Sequence, residues 1–306
     1  MACGIALFLA SILLKYSLES FASKIGTRRY IIDLLNSFLS LTFPQICIAV
    51  FAAAFFMVEI AVGTVMGYSI AVAGFLLPIT GIFKTYELKR SFIKFEIIII
   101  ILITVFFETI SLSRHIKKYD IAVLFIFFIF FTILTILKKK SQEKIPKKYE
   151  GNKTLFGILW LFLALAAVGI IIVSSYFIVY SSMIICSLLK INIKVFSLTV
   201  IPILLLTPRL ISLVKKNSKG EDINPFIENI LQSVLYTLLL ATVVFALIKP
   251  VTLGLSYSVI QTPFMFLLFV VFTALLLPRL KVTRLRSYIL FTIYLTFTVL
   301  TVINFV

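Results

Sequence analysis

Negative charge is what this sequence has least of. Its 306 residues hold 12 Asp and Glu against 29 Lys and Arg, with one histidine and one tryptophan. No cluster of carboxylates appears that would cage a metal or supply a general acid–base pair. The single histidine, His115, stands in a basic stretch with no partner at metal-ligand spacing and reads as a solvated loop residue. Three cysteines, Cys3, Cys47 and Cys186, lie in or beside apolar segments without a CxxC; they read as buried thiols, not redox or zinc ligands. Walker, nucleophile-elbow, zinc and dinucleotide motifs are missing, and no nucleophile–base pair replaces them. The sequence therefore predicts no enzyme and no cofactor. The apolar start lacks a basic flank and is followed by further apolar segments, which predicts a first membrane helix and not a cleaved signal.

What the chain does have is apolar length. Mean hydropathy is +1.16 and 61% of residues are hydrophobic, far beyond the needs of a soluble domain. Runs long enough to cross a bilayer recur throughout. They predict ten membrane helices, at roughly 3–23, 31–56, 58–83, 92–112, 120–137, 154–189, 194–215, 224–248, 258–277 and 285–305. The net charge of +17 would suit nucleic acid if it were clustered, but it sits between the apolar segments, as membrane topology requires. Loops after odd-numbered helices carry 21 of the 29 basic residues and loops after even-numbered helices carry six. This bias predicts cytoplasmic odd loops and external termini. The basic stretch 138–153, with Lys138-Lys139-Lys140 and Pro146-Lys147-Lys148, reads as a cytoplasmic, lipid-facing linker. It divides the chain into five-helix halves, 1–137 and 154–306. An odd number of spans per half forces the two halves into opposite orientations, the inverted-repeat plan of many secondary transporters. Richness in Ile, Phe and Lys with few acids points to an AT-rich prokaryotic genome, archaeal among the options, and so to a prokaryotic plasma membrane.

Within this plan one stretch stands out. Thr42-Phe43-Pro44-Gln45 interrupts the second apolar segment, and Glu59 precedes Gly63-Thr64-Val65-Met66-Gly67-Tyr68-Ser69 on the third. The second half echoes it with Leu206-Thr207-Pro208-Arg209 and then Glu228-Asn229-Ile230-Leu231-Gln232-Ser233; Pro44 and Pro208 stand 164 residues apart. Proline and polar groups in mid-membrane are tolerated where the backbone lines a cavity or is packed in protein, and paired interruptions in two halves point to a transporter site.

On these residues the chain resembles the sodium/calcium exchanger branch of the calcium/cation antiporter superfamily. That family has ten helices in two inverted halves, each with a repeat in which a G-T-S-L-P-E segment ends at a membrane-embedded acid and a G-N-x-x-G-S-N segment follows. The resemblance implies helices 2, 3, 7 and 8 as the core, with helices 1 and 6 lying across it and carrying alternating access. It implies a secondary antiporter that exchanges one small cation (sodium, calcium or proton) for another within the lipid bilayer. It also implies a central site lined by Thr42, Gln45, Thr64, Tyr68, Thr207, Arg209, Asn229 and Ser233, with Glu59 and Glu228 as nearby acids. The departures are chemical. The family's two post-proline acids are here Gln45, which offers oxygen without charge, and Arg209, which offers only donors and a fixed positive charge.

Arg209 has two readings. It either bridges to Glu228 and locks two helices, or it serves a substrate directly. Glu59 is either a titrating acid one turn before Gly63 or a cap at the membrane surface. Lys15 and Glu19, four apart, read as an internal pair, and Glu96 and Glu108 as interfacial. Two functional alternatives remain beside cation antiport: a non-transporting scaffold whose site is plugged by Arg209 and Tyr68, or a carrier of another solute such as an anion.

Overall fold

The structure is a computed structural model that describes residues 2–25, 31, 34–88, 90–113, 115–142, 154–249, 261–276 and 281–305. The expected loop 26–30, most of the linker (143–153) and the start of the ninth span fall outside them. Ten helices follow in order. α1 is Ala2–Ile25. α2 starts as a π-helical stretch, Asn36–Thr42, and continues as Phe43–Ala54. α3 is Val58–Phe83, α4 Arg90–Ser113, α5 Lys118–Gln142, α6 Thr154–Leu189 and α7 Ile193–Ser218. α8 is Asn224–Ile248, α9 Thr262–Leu276 and α10 Arg284–Phe305. Eight described helices are long and apolar enough to cross a membrane, and α2 and α9 contribute shorter apolar helices. The protein is an all-helical, polytopic membrane protein.

Burial separates inner helices from outer ones. Over an 18-residue apolar stretch of α3, 94% of residues are buried, and over one of α8, 83%; the figure is 22% for α1 and α5 and 28% for α6 and α10. The outer helices present Leu, Ile and Phe outward, among them Phe130, Phe162 and Leu165. That surface needs lipid, not water, around it. The buried stretch Pro44–Ala53 of α2 joins α3 and α8 in the centre, α7 lies along α3, and α1 packs along α6, both against this inner group. Many hydroxyls inside the helices bond back to carbonyls one turn earlier, as Ser69 does to Val65 and Thr132 to Phe128, and these reach the apolar interior already satisfied.

The two halves repeat in detail. α3 is interrupted by a π-helical segment at Val72–Leu76, and α8 by one at Thr237–Ala241, 165 residues later. A π turn takes in an extra residue and disturbs the ladder, here at matching places in the two inner helices. The halves meet where α3 crosses α7. A Cβ on Gly67 would lie 2.5 Å from the Leu198 carbonyl oxygen, and one on Gly63 would overlap the Ser197 hydroxyl. Only glycine lets the backbones approach so closely.

One end of the bundle is tied across the chain. β1 (Tyr86–Glu87), between α3 and α4, pairs antiparallel with β2 (Lys281–Val282), between α9 and α10. Asn217, at the end of α7, donates to the Lys84 carbonyl at 2.7 Å. The connections that follow α3, α7 and α9 therefore lie at the same end, as the charge bias requires.

Candidate functional site

The site forms where the two proline-broken helices face the inner pair. The π-helical winding of α2 and Pro44, which has no N–H to give, leave carbonyls on this turn for side chains. Arg209, 9% exposed, follows Pro208 on α7 and uses one of them: its Nη2 donates to the Leu41 carbonyl. Its Nη1 donates to the Tyr68 hydroxyl on α3, and its guanidinium also stands over the Tyr68 ring, 5.2 Å from the centroid. Arginine only donates, which fixes the proton order beyond it. Tyr68 accepts from Arg209 and donates to Ser233 on α8 at 2.7 Å; Ser233 donates to the Ile230 carbonyl at 2.7 Å. This relay ties α7, α3 and α8 together.

Gln45 occupies the matching place on α2, and its partner is likewise across the repeat. The Thr237 hydroxyl on α8 donates to Gln45 Oε1, with the Ser233 carbonyl 2.7 Å away as the competing acceptor. Gln45 Nε2 and Thr64 Oγ1 are buried without a protein partner among the described residues. Buried polar atoms of this kind mark places for water or an ion.

The acids stand apart from Arg209. Glu228 does not bridge to it. Lys138 takes Glu228 instead, at 2.9 Å, and Glu96 at 2.7 Å. Gln232 Nε2 donates to both carboxylates at 3.3 Å, while Gln232 Oε1 and Glu96 Oε2 are left without a partner among the described residues. Glu96, at the start of the apolar span of α4, is fully buried within the protein. α5 continues to Gln142, so the lysine run expected to open the linker is its last helical turn. Lys138 and Lys139 turn inward because buried acceptors await them: Lys139 donates to Asn229 at 3.3 Å.

Of the expected lining residues, Tyr68, Arg209 and Ser233 share one hydrogen-bond relay. Thr42, Gln45 and Thr64 are buried on the adjoining faces of α2 and α3. Asn229 faces α5. Thr207 is exposed and bonds within its helix, to the Ile203 carbonyl at 2.7 Å, because the turn that points Arg209 inward points Thr207 outward. Glu59 is half-buried in the first turn of α3, away from the relay. Lys15 and Glu19 are not an internal pair: they are 43% and 44% exposed and 4.0 Å apart. Among the described residues no group of three or more His, Cys, Asp or Glu is placed to hold a metal. Glu96, Gln232, Thr237 and Lys138 were not foreseen. Gln232 and Thr237 carried a signal, being polar residues on an otherwise apolar span.

Comparison with known proteins bears on this arrangement. The profile of the sodium/calcium exchanger protein family matches residues 1–137 and 158–303. A search of curated protein sequences finds no match. Among solved structures, the chain is similar to the H+/Ca2+ exchanger CAX at 16% identity and a TM-score of 0.77, covering 99% of this chain and 84% of that one. It is similar to the sodium-calcium exchanger NCX_Mj, soaked with 10 mM Na+ and zero Ca2+, at 17% identity and a TM-score of 0.64, covering 96% and 97%. At these identities the likeness is one of fold: ten helices in two inverted five-helix repeats.

Proposed function

We propose that this chain, which belongs to the sodium/calcium exchanger protein family, is a secondary cation antiporter with a built-in cation at its centre. The observation that carries this reading is Arg209: buried, held by Tyr68 and Leu41, on the turn where the family resemblance puts a cation-binding acid. A fixed guanidinium there stands in for one carried charge. It repels a divalent ion that needs about six to eight oxygen ligands. The cargo is accordingly a monovalent cation or a proton, not Ca2+. Thr42, Gln45, Thr64, Tyr68, Asn229 and Ser233 supply the neutral polar lining, and Glu228 with Glu96 supplies the exchangeable negative charge, only partly offset by Lys138. Glu59 sits at the external mouth. The units of this machine are the repeats 1–137 and 154–306 with the stretch 138–153 between them on the cytoplasmic side. Both termini are outside, in the plasma membrane of a prokaryote.

A second reading has one observation in its favour. Tyr68 is fully buried and fills the space between Arg209 and Ser233, as a plug would. The protein would then be a scaffold on an exchanger fold.

Proteoliposomes decide between them. With an internal pH dye, wild type is expected to move protons when an external sodium or potassium pulse is given, and Glu96→Gln/Glu228→Gln is expected to be silent. Wild type should take up no radioactive calcium, whereas Gln45→Glu/Arg209→Glu should gain it. Calcium uptake by wild type would overturn the assignment of Arg209. Absence of any cation-coupled flux would favour the plugged scaffold.

A further inference from the structure

A cavity of about 230 Å³ lies between α1, α2, α7 and the first turn of α8, at the end of the bundle that carries β1 and β2. Its polar lining is Ser11, Lys15, Ser40, Arg209, Ser212 and Lys216. Three of these are cations, and no acid lines it among the described residues. Glu19, 4.0 Å from Lys15, offsets part of one charge from outside the wall and is itself engaged by Asn36 Nδ2 at 3.1 Å. Lys216 is anchored over the Phe226 ring, 5.3 Å from its centroid, so its ammonium is held at the mouth. Arg209 closes the inner end. Its two described bonds use two of the five guanidinium N–H groups, which leaves donors for a guest. Tyr16 also lines it, and the rest of the wall, including Phe8, Leu205 and Phe226, is apolar.

Three cations converging in a partly apolar cleft repel one another strongly when water is scarce. A vestibule of this sign also repels any cation that approaches the centre through it. Both costs fall away when an oxyanion is bound. We propose that this cavity is a binding site for a phosphate group, held by Arg209 at the base with Lys15 and Lys216 at the rim. A planar guanidinium presents two parallel N–H groups to a phosphate, and two ammoniums supply point charges. Ser212 offers a further hydroxyl, while Ser11 and Ser40 already donate to the Leu7 and Asn36 carbonyls. The apolar walls suit a phosphate that carries an acyl chain as well as a free one, so the headgroup of an anionic phospholipid and inorganic phosphate share the chemistry. The site goes beyond the antiport reading and does not depend on which cation is carried.

The test uses the full chain purified in a neutral detergent at low salt. Inorganic phosphate is titrated by calorimetry, and phosphatidylglycerol against phosphatidylcholine is scored by native mass spectrometry and thermal shift. Wild type is expected to bind one or other ligand saturably, phosphate alone marking a soluble guest and phosphatidylglycerol alone a lipid. Lys15→Gln/Lys216→Gln is expected to weaken that binding by about tenfold or more, since each removes a charge-assisted contact. Lys15→Arg/Lys216→Arg, which keeps the charge, is expected to retain it and shows that the loss is not misfolding. Ser212→Phe, which fills the cavity, should abolish it. Saturable binding of neither ligand to wild type, or equal binding by the glutamine variant, would overturn the site. Because Glu96→Gln/Glu228→Gln leaves the cavity intact, it should bind phosphate normally even where transport is lost, which separates failure of this site from failure of the antiport reading.

Discussion

The Tyr68 hydroxyl is the joint of the site: it accepts from Arg209 and donates to Ser233. Tyr68→Phe keeps the ring and removes both bonds, leaving a buried charge under-solvated. The expected cost is about 1–3 kcal/mol, read as a lower unfolding midpoint in detergent; a change below about 0.5 kcal/mol would mean the relay carries no stability. Lys138 is under greater constraint, since it holds two buried carboxylates. Lys138→Met is expected to cost about 3–5 kcal/mol. Neutralising the acids as well, in Lys138→Met/Glu96→Gln/Glu228→Gln, should restore most of it. At this scale the sequence was least legible. Gln45, Tyr68 and Arg209 announced themselves as polar intruders beside proline or glycine. Lys138 did not: in the chain it opens a basic run of the kind that marks a cytoplasmic loop, and its acids lie on α4 and α8, helices that only tertiary packing brings to it. Glu228 was read against Arg209 because both sit in the second repeat, yet adjacent repeat positions need not face one another.

Helices were far easier to read. Each of the ten apolar runs became a helix, since a bilayer leaves a backbone no other way to satisfy its polar groups. The glycine pair was legible as a motif but not as a function. Gly63 and Gly67 let α3 touch α7, and the polar chemistry passes to Tyr68, one residue on. Gly67→Val should force these helices apart, because its added carbons would run into the Leu198 backbone and the Pro202 ring; loss of a monodisperse peak and of folded yield is the expected readout. Gly169→Ala on α6 is the control, having nothing within 4 Å of the new methyl. The strands are expected to respond to pH. The Lys281 ammonium, bonded to Glu87 at 2.9 Å, holds that carboxyl below its ordinary value of 4.5. A depressed carboxylate stabilises the folded form above its ordinary range, and the contribution fades as pH falls through the folded value. Wild type should therefore protect the β1 amides from exchange better than Glu87→Gln near neutral pH. The two should converge in acid, and a constant difference at all pH values would count against the ion pair.

At the scale of the whole molecule, hydropathy and the placement of 29 basic residues were enough to predict a ten-helix inverted repeat, because insertion into a membrane is decided by those two quantities. What they could not predict is the sign of the interior. Arg209, Lys15 and Lys216 stand about one cavity, and only the folded arrangement shows them converging.

The crossing of α3 on α7 and the pairing of β1 with β2 join the first half of the chain to the second without using the covalent connection between them. The peptide bond between the halves is thus a convenience of synthesis. Cut into two open reading frames at residues 143–153 and expressed together, the fragments should find each other in the membrane and co-purify through a tag on either one. Fragments bearing Gly67→Val should each insert and yet remain apart. An ancestor of this architecture would have had no need of fusion to assemble, only of a gene whose product could enter the bilayer in both directions.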